Sequence, residues 1–191
     1  HRGATAALEL ALYDVRARSL GLPLYQLLGG GVSELVTDIT ISVNPVAQMV
    51  EDAQNAVARG YQHLKIKLGT DVHLDVARVK AIAAAVPATV KLRLDANQAW
   101  TAKQSINLMQ QLEATGIVAE LLEQPVAAAD LAGLHAVTAA IATPVLADES
   151  AFDLPQVLSI LQDRSADMIN IKLMKTAGIS QALQIAQLAT A

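Results

Sequence analysis

The chain has 191 residues, 53% of them hydrophobic and 17% charged, which supplies a sizeable core and argues against intrinsic disorder. Asp and Glu number 18 against 14 Lys and Arg, for a formal charge of −4, and aromatic residues make up 3%, so neither a phosphate-binding basic surface nor a base-stacking platform is present. Zero cysteines exclude disulfides, thiolate metal sites and a thiol nucleophile, and fit a reducing compartment, the cytoplasm.

The opening HRGATAALELALYDVRARS carries Glu9 and Asp14 at helical spacing and does not read as a signal peptide. It lacks an initiator Met, as expected of a segment from within a longer protein. Gly29, Gly30 and Gly31 are not followed by the GK[ST] of a phosphate loop. No apolar run reaches the roughly 18 residues of a membrane helix.

From Val36 onward, short β-branched or Leu-rich runs alternate with Ala-rich segments whose apolar residues recur three and four apart. The runs are VTDITIS, HLKIKL, VKLRLDA, AELLEQP, PVLADES and ADMINIKL, and each is followed by a helical pattern. Gly60 and Gly116 stand just past two of the helices, and Pro87 and Pro144 separate helix from strand. Six such units predict parallel strands joined by crossover helices, an α/β architecture. A doubly wound nucleotide-binding sheet would carry a glycine-rich turn after its first strand, and VTDITISVNPVAQ has no glycine. A (β/α)8 barrel is favoured. Because a full barrel takes about 250 residues, residues 36–191 are expected to form about six β/α units of a partial barrel, with residues 1–35 as a lead-in segment.

Charge falls at one phase of successive units. The intervals from Lys67 to Asp95, Glu123, Asp148 and Lys172 are 28, 28, 25 and 24 residues. Parallel barrel strands are buried on both faces, so these charges need partners. Side-chain alternation turns Lys65 and Lys67 to one face, away from Ile66, toward the mouth of the barrel where this fold collects catalytic groups. Three carboxylates with no nearby His or Cys match the oxygen-only shell of a hard divalent cation, Mg2+. Flanking lysines could then serve a bound carbon acid from either side, as general acid and base.

These residues resemble those of the enolase superfamily, and within it the muconate lactonizing enzyme subgroup. The likeness rests on K-I-K at 65–67, L-D-A-N at 94–97, L-E-Q-P at 122–125, A-D-E-S at 147–150 and N-I-K-L-M-K at 170–175. ALELALYDVRARSLGLPLYQLLGG resembles the segment leading from the capping domain into the barrel. The resemblance is greatest to dipeptide epimerases that interconvert L-Ala-D-Glu and L-Ala-L-Glu. It implies that Asp95, Glu123 and Asp148 bind Mg2+, that Lys67 and Lys172 are the acid/base pair, and that Lys65 lowers the pKa of Lys67 and contacts the substrate carboxylate. The implied reaction is a 1,1-proton transfer through an enediolate. The family's usual Gly-Gly after the last motif reads Ala177-Gly178 here, and its strand-eight Asp-x-Asp lies beyond residue 191.

Simpler roles compete at single positions. Asp95 or Asp148 could cap the next helix. Asn97 reads as a turn residue, Glu149 as a support for its neighbours, and Lys175 as a helix-start or surface charge. The four histidines show no ligand spacing. Rival activities for the same lysines are a muconate-type cycloisomerase, an o-succinylbenzoate synthase or an N-acylamino acid racemase. An inactive fragment acting as a scaffold is the reading from outside enzymology. The expected partner is a small carboxylate substrate, not nucleic acid or membrane, and homo-oligomerisation stays open.

Overall fold

The computed structural model describes residues 1–31 and 34–190. Helix α1 (Arg2–Ser19) is rich in Ala and Leu, and Arg16 and Arg18 in its last turn suit the negative end of the helix dipole. Gly21, at φ 67°, ends it, and the one-turn helix α2 (Leu24–Leu27) follows Pro23. Strands and helices then alternate: β1 (Ile39–Ile41), α3 (Val46–Ala58), β2 (His63–Lys67), α4 (Val72–Ala85), β3 (Lys91–Asp95), α5 (Ala102–Glu113), β4 (Leu121–Glu123), α6 (Leu131–Ala140), β5 (Val145–Ala147), α7 (Leu154–Asp163), β6 (Met168–Ile169) and α8 (Ile179–Ala189). No helix among the described residues is long and apolar enough to cross a membrane.

All strands are parallel and lie side by side in chain order, as the crossover units require. The sheet is not closed among the described residues, with β1 and β6 at its margins. Alternation along β2 buries Leu64 and Ile66 fully and leaves Lys65 and Lys67 half-buried on the other face. Strand β3 repeats the pattern, burying Leu92 and Leu94 beneath the helices. Met49, Ile82, Leu108, Leu112, Leu134 and Ile160 close that helix-side core, each contributing about 1.5–3 kcal/mol by burial.

Helices leaving the C-terminal ends of the strands are started by local acceptors. Asp71 takes Leu74 N at 2.9 Å, Asp130 takes Gly133 N at 2.8 Å, and Asp153 takes Gln156 N at 3.1 Å. Thr101 and Gln104 form a reciprocal capping box. The helices that follow Asp95 and Asp148 are capped by Thr101 and Asp153 instead, which removes the simpler reading of both.

The last two strands are shorter than expected. Strand β5 ends at Ala147 and β6 at Ile169, so Asp148, Glu149 and Lys172 lie in the turns beyond the strands. Among the described residues strand β6 pairs with β5 alone. After Asn170 N bonds Ala147 O at 2.8 Å, the chain curls into a turn closed by Lys175 N on Lys172 O at 2.9 Å.

A separate charged group lies lower in the sheet's concave face. Arg93 donates to Glu120 at 2.5 Å and to Asp38 at 2.9 Å, and His63 Nδ1 is 3.0 Å from Glu120. Burial alone would raise the Glu120 pKa, but hydrogen bonds from Arg93 and His63, with their charge, hold it below the ordinary 4.5. A depressed carboxylate stabilises the fold above its unfolded pKa and loses that contribution as pH falls through the folded value. Glu120→Gln should therefore lower stability at neutral pH and flatten the acid limb of a stability–pH profile. Urea midpoints would check this, and an unchanged acid limb would refute it.

Candidate active site

The C-terminal ends of β2, β3 and β4, with the turns after β5 and β6, gather the charged residues of the sequence motifs. Strand register sets Lys67 opposite Asp95 and Asp95 opposite Glu123. Lys67 donates to Asp95 Oδ2 at 2.7 Å and to Asn97 Oδ1 at 2.5 Å. Lys65 starts one layer lower and reaches up, donating to Glu123 Oε2 at 2.6 Å and lying 2.9 Å from Asp95 Oδ2. Glu123 is opposite Leu146, so Asp148 stands two residues further along the chain, just past the end of β5. Lys172 holds one oxygen of Asp148 and Lys175 the other.

All three acids are out of water: Asp95 is 0% exposed, Glu123 3% and Asp148 1%. Carboxylates so buried persist because each accepts charge-assisted hydrogen bonds. For Asp148, burial pushes the pKa up, but Lys172 and Lys175 outweigh it and hold the group below its ordinary value. For Glu123, burial prevails with help from the Asp95 charge, and its pKa is raised despite Lys65 and Asn170. Burial pulls Lys65 down, yet its bonds to Glu123 and Asp95 hold it above the ordinary lysine value.

Two residues depart from their sequence reading. Lys175 is no surface charge. It is 8% exposed and donates to Asp148 O at 2.7 Å, to Asn170 O at 2.9 Å and to the Asp148 carboxylate. The chain turns back after β6 and folds this side chain inward, which helical periodicity could not signal. Asn97 does adopt a turn conformation, at φ 43°, but its side chain also joins Lys67 to Glu149, the latter at 3.2 Å.

Gln124 carries a role that sequence reasoning missed. Its amide accepts from Asp148 N at 2.9 Å and Ser150 N at 3.1 Å, and donates to Ser150 Oγ at 2.8 Å and Val126 O at 3.0 Å. It therefore locks the end of β4 to the end of β5, fixing Glu123 and Asp148 relative to each other. Its place within the L-E-Q-P motif was the available signal.

Among the described residues no three His, Asp or Glu side chains converge closely enough to share an ion as they stand. Asp95 and Glu123 already share one cation, the Lys65 ammonium, whereas Asp148 is committed to Lys172 and Lys175. The donor chemistry nonetheless fits a hard divalent ion. Three buried carboxylates from successive units supply oxygen only, and Glu149 Oε2 beside them is buried with no partner.

The turn after Lys175 contains a strained position. Ala177 sits at φ 59° and Gly178 at φ 133°. A Cβ in the left-handed region costs about 1–2 kcal/mol, offset in part by the extra unfolded-state freedom of glycine. Ala177→Gly should raise stability by about 0.5–1 kcal/mol, read as a higher urea midpoint. An equal or lower midpoint would show that the turn accepts the methyl group freely.

Residues 1–29 match the family described as mandelate racemase / muconate lactonizing enzyme, N-terminal domain, and residues 48–191 match the enolase C-terminal domain-like family. The L-Ala-D/L-Glu epimerase of Bacillus subtilis is 51% identical over 189 residues, covering 98% of this chain and 52% of that protein. The hydrophobic dipeptide epimerase of Enterococcus faecalis is 47% identical, with 97% and 52% covered. In three dimensions, a substrate-liganded complex of the Bacillus subtilis enzyme superposes with a TM-score of 0.96 at 50% identity, over 99% of this chain and 53% of that one. The Enterococcus faecalis dipeptide epimerase complexed with Mg and the dipeptide L-Leu-L-Tyr gives 0.93 at 46% identity, over 98% and 53%. The chain thus spans about half the length of the curated relatives it matches. It belongs to the mandelate racemase / muconate lactonizing enzyme family of the enolase superfamily.

Proposed function

We propose that the protein carrying this chain is a Mg2+-dependent dipeptide epimerase of the L-Ala-D/L-Glu type. The observation that carries the reading is the placement of two amines with acids between them. Lys67 stands on β2 and Lys172 after β6, and Asp95, Glu123 and Asp148 occupy the intervening units. Residues 36–191 would contribute these groups, and residues 1–35 the approach from the capping domain.

Epimerisation needs one neutral amine to take the proton alpha to the carboxylate and one ammonium to return a proton to the opposite face. Lys67 and Lys172 would exchange those roles between the two epimers, and each is held in place at a carboxylate. Asp95, Glu123 and Asp148 would hold Mg2+, which supplies positive charge against the substrate oxygens as the alpha carbon loses its proton. Lys65, shared by Asp95 and Glu123, holds those two acids side by side.

The dipeptide class is supported by relatives named for L-Ala-D/L-Glu at 51% and 47% identity and for hydrophobic dipeptides at 47%. A relative named N-succinyl-L-Arg/Lys racemase, at 34%, keeps N-acylated amino acids as the second reading. Incubating the full-length protein with Mg2+ in D2O and following the alpha hydrogen by NMR separates them. Exchange in L-Ala-L-Glu faster than in L-Leu-L-Tyr or N-succinyl-L-lysine is expected. Preference for the succinylated amino acid would overturn the dipeptide assignment.

A further inference from the structure

Helix α1 lies far from the acids in sequence but reaches them through one aromatic ring. The centroid of Phe152 is 5.4 Å from Arg2 Cζ and 5.5 Å from Lys175 Nζ. Both cations are thus within range of attraction to its π-face. Arg2 also donates to Asp153 Oδ2 at 2.5 Å and to the Lys175 carbonyl at 3.4 Å. One further contact runs from the same helix: Glu9 accepts Ser180 N at 3.3 Å, at the start of α8, whose cap residue Gly178 has no side chain to offer. Helix α1 therefore holds the turn that carries Lys172 and Lys175 at Lys175 itself and where it leads into α8.

The three N–H bonds of the Lys175 ammonium are matched by three acceptors: the Asp148 carbonyl, one Asp148 carboxylate oxygen and the Asn170 carbonyl. An amine so engaged can serve substrate only by giving up a bond that joins the ends of β5 and β6. It leaves the other Asp148 oxygen facing Lys172. Asn170 in turn donates to Glu123 Oε1 at 3.0 Å, so the same strut bears on two of the three acids.

We propose that Lys175, Phe152 and Arg2 form a positioning relay that anchors Asp148 to helix α1 and so supports its binding of Mg2+. None of the three touches the reacting atoms; they act through Asp148. The inference rests on the reading of Asp148 as a Mg2+ ligand. Partners that orient metal ligands typically matter 10- to 100-fold in affinity.

The test uses the full-length protein and titration calorimetry with Mg2+ alone, alongside alpha-deuterium exchange at saturating Mg2+. Lys175→Met, which keeps the apolar stem, should weaken Mg2+ binding about 10- to 100-fold and lower kcat while the dipeptide KM holds. Phe152→Leu should weaken Mg2+ binding in the same direction by a smaller factor, and Phe152→Tyr, which keeps the π-face, should restore it. If Lys175→Met fails to fold, the Phe152 pair decides. No Mg2+ binding by the wild-type protein would sink the underlying metal assignment. Wild-type binding with equal affinity in Phe152→Leu and Phe152→Tyr would overturn the relay alone. Tighter binding by Lys175→Met would also overturn it, by showing that the ammonium repels the ion instead of orienting its ligand.

Discussion

Lys67→Ala and Lys172→Ala, each made in the full-length protein, should abolish measurable epimerisation while leaving Mg2+ binding nearly intact. Positioned acid or base catalysis contributes about 10²–10⁴-fold, so each loss should exceed about 100-fold, near 3 kcal/mol on the barrier. Neither change should unfold the protein, because the Lys67 side chain is 30% exposed and that of Lys172 48%. Asp95 keeps Lys65 when Lys67 is removed, and Asp148 keeps Lys175 when Lys172 is removed. The acids proposed to hold Mg2+ therefore retain a counter-charge in both variants. Deuterium incorporation should split by epimer: a variant lacking one amine can wash out the alpha hydrogen of only the epimer whose proton faces the other. Wild-type exchange from both epimers in both variants would end the two-base mechanism.

Asp95→Asn should have the second largest effect, and on two quantities at once. Asp95 is fully buried and accepts from Lys67 at 2.7 Å and from Asn97 N at 3.0 Å, with the Lys65 ammonium at 2.9 Å. The amide keeps the shape but removes the charge, leaving Lys65 with Glu123 alone and Lys67 with a neutral Asn97 oxygen. Removing one partner of a buried ion pair costs about 3–5 kcal/mol, so a lower melting temperature without added metal is expected. The second effect concerns metal linkage. An ion that binds only the folded state raises the melting temperature with its concentration, and the wild-type rise with Mg2+ should vanish in the variant. A Mg2+-dependent rise matching wild type would remove Asp95 from the ligand set.

The sequence revealed much of this arrangement because barrel strands enforce a strict alternation. Once Leu64 and Ile66 are assigned to the helix-covered face, Lys65 and Lys67 have one direction left, and the same logic places Asp95. Nearly constant spacing then carries the phase from unit to unit. Legibility fell where the backbone leaves the ladder. Lys172 and Lys175 lie beyond the end of β6, where neither period two nor period 3.6 applies, so Lys175 read as a surface charge although it is buried. Gln124 escaped for another reason: a glutamine looks the same in sequence whether all its hydrogen bonds are internal or none are. That Asp71, Asp130 and Asp153 cap helices and Asp95 and Asp148 do not was settled by the hydrogen bonds they accept.

The concave face of the sheet carries two ionic tiers, the acids and amines at the strand tips and the Arg93, Glu120, Asp38 and His63 cluster beneath them. The upper tier holds the groups proposed for turnover and the lower one braces the strands, in keeping with the division between the two ends of a barrel. Edits to the lower tier should therefore shift heat tolerance with little effect on catalytic rate, so that a thermostabilised version could be built from the basement upward without retuning the chemistry on the roof.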